Sequence, residues 1–272
     1  MTRALLGSLA ASAVVAVGLV IFATPVDVRG QVLDKSWKPE GPVPRMPDGK
    51  PDLSGPWWQG TELAVQGLNL GSPRTTAPPP PVPGSTFASL YQPWAAAKAK
   101  TLSDKDDPAL RCMPSIDGPQ ASNIFQIVQS STFVALLQET YHGFRLIPTT
   151  PGRTHREDAT PAVWGDSVGR WEGDTLVVDV TNFSDAGWIL AQGNVSFHSD
   201  ALHMTERYTR TAANALEVEK TYDDPKVLTR PFVQRKRTYA LAPFDQIMEA
   251  MCANTETAAL MEAAAKTNYG KK

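Results

Sequence analysis

His142, His155, His198 and His203 are the only histidines in the sequence, and no other side chain titrates near neutral pH without help from its surroundings. No two of them are spaced as H-x-H or H-E-x-x-H, so no metal site is expected. His155 lies in the run Arg153-Thr154-His155-Arg156-Glu157-Asp158, a loop dense in ionisable groups. His155 or His198 is a candidate base, and Arg153 a candidate clamp for an oxyanion or carboxylate. Glu206 joins them as acid or orienting partner because of its place in the chain. Period-two alternation over Leu202–Arg210 puts Glu206 on one face with Leu202, Met204 and Tyr208. A carboxylate there must be paired, hydrogen-bonded or protonated. Glu139 stands on a similar face with Phe133, Ala135 and Leu137. Arg145, Arg170 and Arg207 are candidate ion-pair partners for the two carboxylates.

A second pattern, Gly165-Asp166-Ser167-Val168-Gly169, matches the G-x-S-x-G of hydrolase nucleophile elbows. That device needs a helix directly after the serine, whereas Arg170–Asp174 leads into another strand, so Ser167 is not expected to act as a nucleophile. Trp57, Trp171 and Tyr208 are candidates for the apolar wall of a ligand cavity, with Arg145 at its polar end.

These residues must be positioned mainly by strands. Ile124–Gln129, Thr132–Glu139, Phe144–Ile147, Ser167–Trp171, Thr175–Val180, Leu202–Arg210, Leu216–Tyr222 and Phe232–Leu241 all read as short strands. Glu172-Gly173-Asp174 marks a tight hairpin, and Asp223-Asp224-Pro225 a turn. There is no βαβ alternation, so the sheet is expected to be antiparallel. The expected fold is mainly β: an antiparallel β-barrel or strongly curved, calycin-like sheet, flanked by an N-terminal and a C-terminal helix. Helical spacing appears in Phe87–Thr101 and in Phe244–Lys266. The expected organisation is a leader over residues 1–30 and a Pro-rich lead-in with one short helix over 31–110. The β domain follows over 111–243, and a helix packed on it over 244–272.

The 272 residues carry 26 Lys+Arg against 28 Asp+Glu, a net charge of −2 that argues against a nucleic-acid partner. Two cysteines exclude a multi-cysteine zinc site or an iron–sulfur cluster. No nucleotide motif is present, and no cofactor is expected. Met1–Arg3, the apolar stretch Ala4–Ala23 and the polar exit describe an export signal, with Gly30 at a cleavage point before Gln31. The stretch is also long enough to remain as a membrane anchor over 4–23, the only membrane contact expected. In an exported chain Cys112 and Cys252 are expected to pair as a disulfide.

Leu53-Ser54-Gly55-Pro56-Trp57 contains the G-x-W found near the start of lipocalin-type barrels, a weak resemblance. A wider one rests on several blocks in order. They are Pro51–Gly55, Asp107–Pro114, Gly152–His155, Gly165–Phe183 (GDSVGRWEGDTLVVDVTNF), His198–His203 with Glu206-Arg207, and Asp224-Pro225. Together they resemble an uncharacterised family of exported bacterial proteins marked by a WEGDTLVVDT segment. The resemblance implies a periplasmic or secreted, β-rich protein and implies no particular reaction. Arg153, His155, His198 and Glu206 fall in its blocks. The leading expectation is a protein that binds a small apolar or aromatic molecule in a barrel-like cavity. A cofactor-free lyase, isomerase or hydratase in the same cavity is the alternative, and a structural envelope protein a third.

Overall fold

The computed structural model describes residues 37–58, 86–117, 124–139, 143–190 and 195–248. The expected leader, the polyproline run, His142, Cys252 and residues 249–272 of the expected C-terminal helix lie outside them. The described chain is mainly β. Its strands are β1 (Gly55–Trp58), β2 (Ile124–Gln129), β3 (Phe133–Gln138), β4 (Phe144–Pro148), β5 (Asp166–Glu172), β6 (Thr175–Thr181), β7 (His203–Ala212), β8 (Ala215–Asp223), β9 (Phe232–Val233) and β10 (Arg237–Leu241). One sheet contains them all in the order β4-β3-β2-β1-β10-β8-β7-β6-β5, with the short β9 on the edge of β8. The nine strands curl into a nearly closed barrel. Every neighbouring pair is antiparallel. With an odd number of strands, the first and last must run the same way, so β4 and β5 meet in parallel; among the described residues no ladder joins them.

This seam closes by packing instead. A Cβ placed on Gly169 in β5 would lie 2.9 Å from both Ile147 Cγ2 and Thr149 Cγ2, so only glycine allows the two strands this approach. The inner face is a continuous apolar core that includes Ile127, Leu136, Ile147, Leu176, Val178, Met204, Leu216 and Tyr222. Gly173, at φ +59°, opens the two-residue turn between β5 and β6, the position at which a type II′ turn takes glycine.

One end of the barrel is floored by Trp57. Its indole Nε1 donates to Leu53 O at 2.9 Å, and the Arg210 guanidinium lies 5.0 Å from the ring centroid. Arg210 in turn donates to the carbonyls of Asp52 and Ala213, and to that of Ala212 at 3.3 Å. The lead-in is pinned across this end. Asn214 accepts from Glu40 N, and Arg45 makes a two-pronged ion pair with Asp174 at 2.7 and 2.9 Å.

Three expectations are corrected. Phe87–Thr101 is not one helix: a 3₁₀ turn over Phe87–Leu90 ends before α1 (Pro93–Ala99). Pro93 pushes Gln92 to ψ 156°, out of the helical region, and then serves as the first residue of α1. In β3 the core face is Val134 and Leu136, not Phe133, Ala135 and Leu137. Both faces of β3 are apolar, so alternation is silent there, and pairing of Leu136 with Ile127 and Arg145 decides. The expected C-terminal helix does not begin at Phe244, because Phe244–Met248 is irregular and Met248 N donates to Glu139 Oε1 at 2.9 Å.

Candidate functional site

A groove of about 600 Å³ follows the seam, with Val168 and Arg170 from the outer side of β5 and Gly169 and Trp171 from the side that packs against the core. The loop Thr149–His155 forms one wall; Val168, Gly169, Arg170 and Trp171 of β5 form the other, with Lys50 and Asp179 at the ends. Its surface mixes apolar body (Trp171, Val168, Pro151) with the cations Lys50, Arg153 and Arg170, the last paired with Glu172 at 2.8 Å, and with the carboxylate of Asp179. Lys50 Nζ lies 5.6 Å from the Trp171 ring centroid, a distance at which cation and ring attract. The pinned lead-in delivers that lysine.

The loop wall is held down by a chain of ionisable groups on the outer face of the sheet. His155 Nδ1 lies 3.0 Å from Asp166 Oδ2, and its Nε2 lies 2.8 Å from Asp179 Oδ2. Asp179 Oδ1 is 2.6 Å from His203 Nε2, and Arg156 Nε donates to Asp166 Oδ1 at 3.0 Å. A neutral imidazole has one N–H, yet both His155 nitrogens face carboxylate oxygens, so the ring is satisfied only as imidazolium. Partial burial pulls the His155 pKa down, but the hydrogen bonds and charges of Asp179 and Asp166 outweigh it and raise the pKa. In the same way burial pushes Asp179 and Asp166 up, and their contacts with the histidines and Arg156 hold them below the usual carboxylate range.

Glu206 lies elsewhere, inside the barrel. It is 1% exposed and accepts from Arg145, from Tyr208 at 3.1 Å and from Lys220 at 3.3 Å. Burial works against its charge, but Arg145 and Lys220 outweigh it, so Glu206 remains a carboxylate. The network continues through Lys220 to Asp117, which also accepts from Tyr222 at 2.8 Å, Gln234 at 2.7 Å and Arg237 at 2.8 Å. Burial raises the Tyr208 and Tyr222 pKa values well above the usual phenol value, so both hydroxyls stay protonated donors. His198 is buried separately. Its Nδ1 donates to Ser199 O at 2.8 Å, and burial lowers its pKa, so it is neutral.

The candidates named from sequence therefore divide among four places. Arg153, His155 and Trp171 meet at the groove. Arg145, Glu206 and Tyr208 share the interior network, Trp57 floors the barrel, and His198 sits in the core near Phe183. His155, His198 and Glu206 do not converge on one catalytic centre. Asp166, Asp179 and His203 are not among the site residues expected from the sequence, although strand alternation already places Asp179 and His203 on outward faces. Lys50 carried no such signal, since only the fold of the lead-in brings it to Trp171. Cys112 caps the 3₁₀ turn Pro108–Arg111 with φ 59°. Ser167 is buried in β5 and a strand follows it, so no nucleophile elbow forms. Among the described residues no cluster of His, Cys, Asp and Glu is arranged to hold a metal ion, and no helix is long and apolar enough to cross a membrane.

Comparison with known proteins returned no matching family model, no matching curated relative and no matching solved structure.

Proposed function

We propose that this is an exported binding protein, and that it holds a small molecule with an apolar or aromatic body in the seam groove. The observation that carries the reading is the groove itself: an apolar floor around Trp171 edged by Lys50, Arg153 and Arg170. Such a surface favours a ligand that pairs a flat apolar body with a negative charge. Turnover is less well supported, because both nitrogens of His155 are occupied by carboxylates and Glu206 is saturated by three donors. Neither group is free to exchange a proton with a substrate. Export rests on the leader-like residues 1–30, and with it goes a proposed Cys112–Cys252 bridge.

Calorimetric titration of the full chain with 2-naphthoate tests this reading. Saturable binding is expected, weakened about tenfold by Trp171→Ala and less by Arg153→Ala. Absence of binding, or binding indifferent to Trp171→Ala, would count against it.

A further inference from the structure

The outer face of β2, β3 and β4 is apolar, where the solvent side of an antiparallel sheet is ordinarily polar. The register sets Val128, Ala135 and Leu146 in one row across the three strands, and Gln126, Leu137 and Phe144 in the next. Phe144 is 69% exposed, Leu146 52% and Val128 42%. A contiguous apolar patch of this kind marks an interaction surface. None of these residues lines the seam groove.

The chain itself approaches this face. Beyond β10, Ala242 N donates to Pro56 O at 2.9 Å, and Phe244 packs on the small outer cluster of Trp58, Ala240 and Ala242, against which Ile124 also lies. Met248 N then donates to Glu139 Oε1 at 2.9 Å, directly after the end of β3. The segment thus passes β10, β1, β2 and β3 in their order in the sheet, and β4 comes next. Glu139 is only 6% exposed, so a buried carboxylate answered by a backbone N–H fixes where Met248 lies.

Residues 249–272 continue from that point. Met251, Ala258, Met261 and Ala265 follow at spacings of seven, three and four, which is one face of a helix, with Glu249 and Glu256 on the opposite side. We propose that residues 249–265 dock as an amphipathic helix on the outer face of β3 and β4, with Met251 and Met261 turned toward Leu137, Phe144 and Leu146. Such a helix would be about 25 Å long, enough to run the roughly 20 Å length of β3. A helix of that length is marginal alone in water, so its stability would come from this face.

Hydrogen exchange of the full chain, read by mass spectrometry on peptides from 249–266, tests the docking. Protection at least about tenfold above the intrinsic rate is expected there. It should fall to near unity in the double variant Phe144→Asp, Leu146→Asp, while peptides of β6 and β7 keep theirs and report an intact barrel. Met251→Asp with Met261→Asp, made on the segment side, should have the same effect, and it decides alone if the barrel variant does not fold. Exchange at the intrinsic rate in the unaltered chain, or protection that either folded double variant leaves in place, would overturn the proposal. Protection that disappears on dilution would assign the face to a second copy of the chain and overturn it equally.

Discussion

His155 works as a fastener, and its pH dependence follows from the directions of three shifts. Its own pKa is raised in the folded protein, so its contribution is full below the unfolded value of about 6.5 and is lost as pH rises through the folded value. Asp166 and Asp179 are depressed, so theirs is full above the unfolded value of about 3.9 and is lost as pH falls through the folded one. The loop Thr149–His155 should thus be held most firmly between about pH 4 and 6.5. Protection of amides 152–158 against hydrogen exchange, measured relative to the intrinsic rate at each pH, is expected to be highest in that window and to lose its fall on the alkaline side in His155→Gln. The local opening cost should fall by only about 0.5–1 kcal/mol, since the groups are partly exposed. Protection that is the same on both sides of neutrality, and the same in wild type and variant, would remove this role. The histidine itself was legible as a functional candidate because of the charge density around it. Its partners were not, because Asp166, Asp179 and His203 are spread over three strands, of which the Glu172-Gly173-Asp174 turn pairs β5 with β6 while no tight turn pairs β6 with β7.

At the scale of elements, the seam is the feature that matters, and Gly169 sets it. Gly169→Val should force β4 and β5 apart at Ile147 and Thr149 and cost about 1–3 kcal/mol of stability, as overpacking does. It should also narrow the groove, so the urea midpoint and 2-naphthoate affinity fall together. A variant as stable as wild type would mean that the strands do not close by this contact. Most strands were legible to within a residue or two, because alternation over Leu202–Arg210 and the Glu172-Gly173-Asp174 turn both carry local chemistry, but β1 was not expected and Phe232–Leu241 divides into β9 and β10. The seam was not legible. It arises from the parity of nine antiparallel strands, a property of the closed set rather than of any one segment. The helix over Phe87–Thr101 fails for a local reason that was present in the sequence, namely Pro93.

At the scale of the whole molecule, Trp57 and Arg210 pack together at one end of the barrel, and the Glu206–Asp117 network crosses its middle. The proposed ligand site accordingly lies at the seam groove, where the sequence suggested an interior cavity. The fold class was legible from the run of short strands without intervening helices. The location of the groove was not, since it depends on how the closed barrel brings β5 beside the loop Thr149–His155. The proposed Cys112–Cys252 bridge would close a very long loop, and the chain-entropy model assigns such a bridge about 4–5 kcal/mol. Reduction should therefore lower the unfolding free energy by an amount of that order in urea titrations. An unfolding curve indifferent to reductant would argue against the bridge.

The central claim is that the seam groove around Trp171 receives the ligand. The most direct measurement is the indole N–H resonance of Trp171, identified with Trp171→Phe, during titration of the full chain with 2-naphthoate. The account predicts a saturable shift of that resonance while the indole of Trp57, sealed in the floor, holds its position. Movement at Trp57 with none at Trp171 would place the ligand inside the barrel and contradict it.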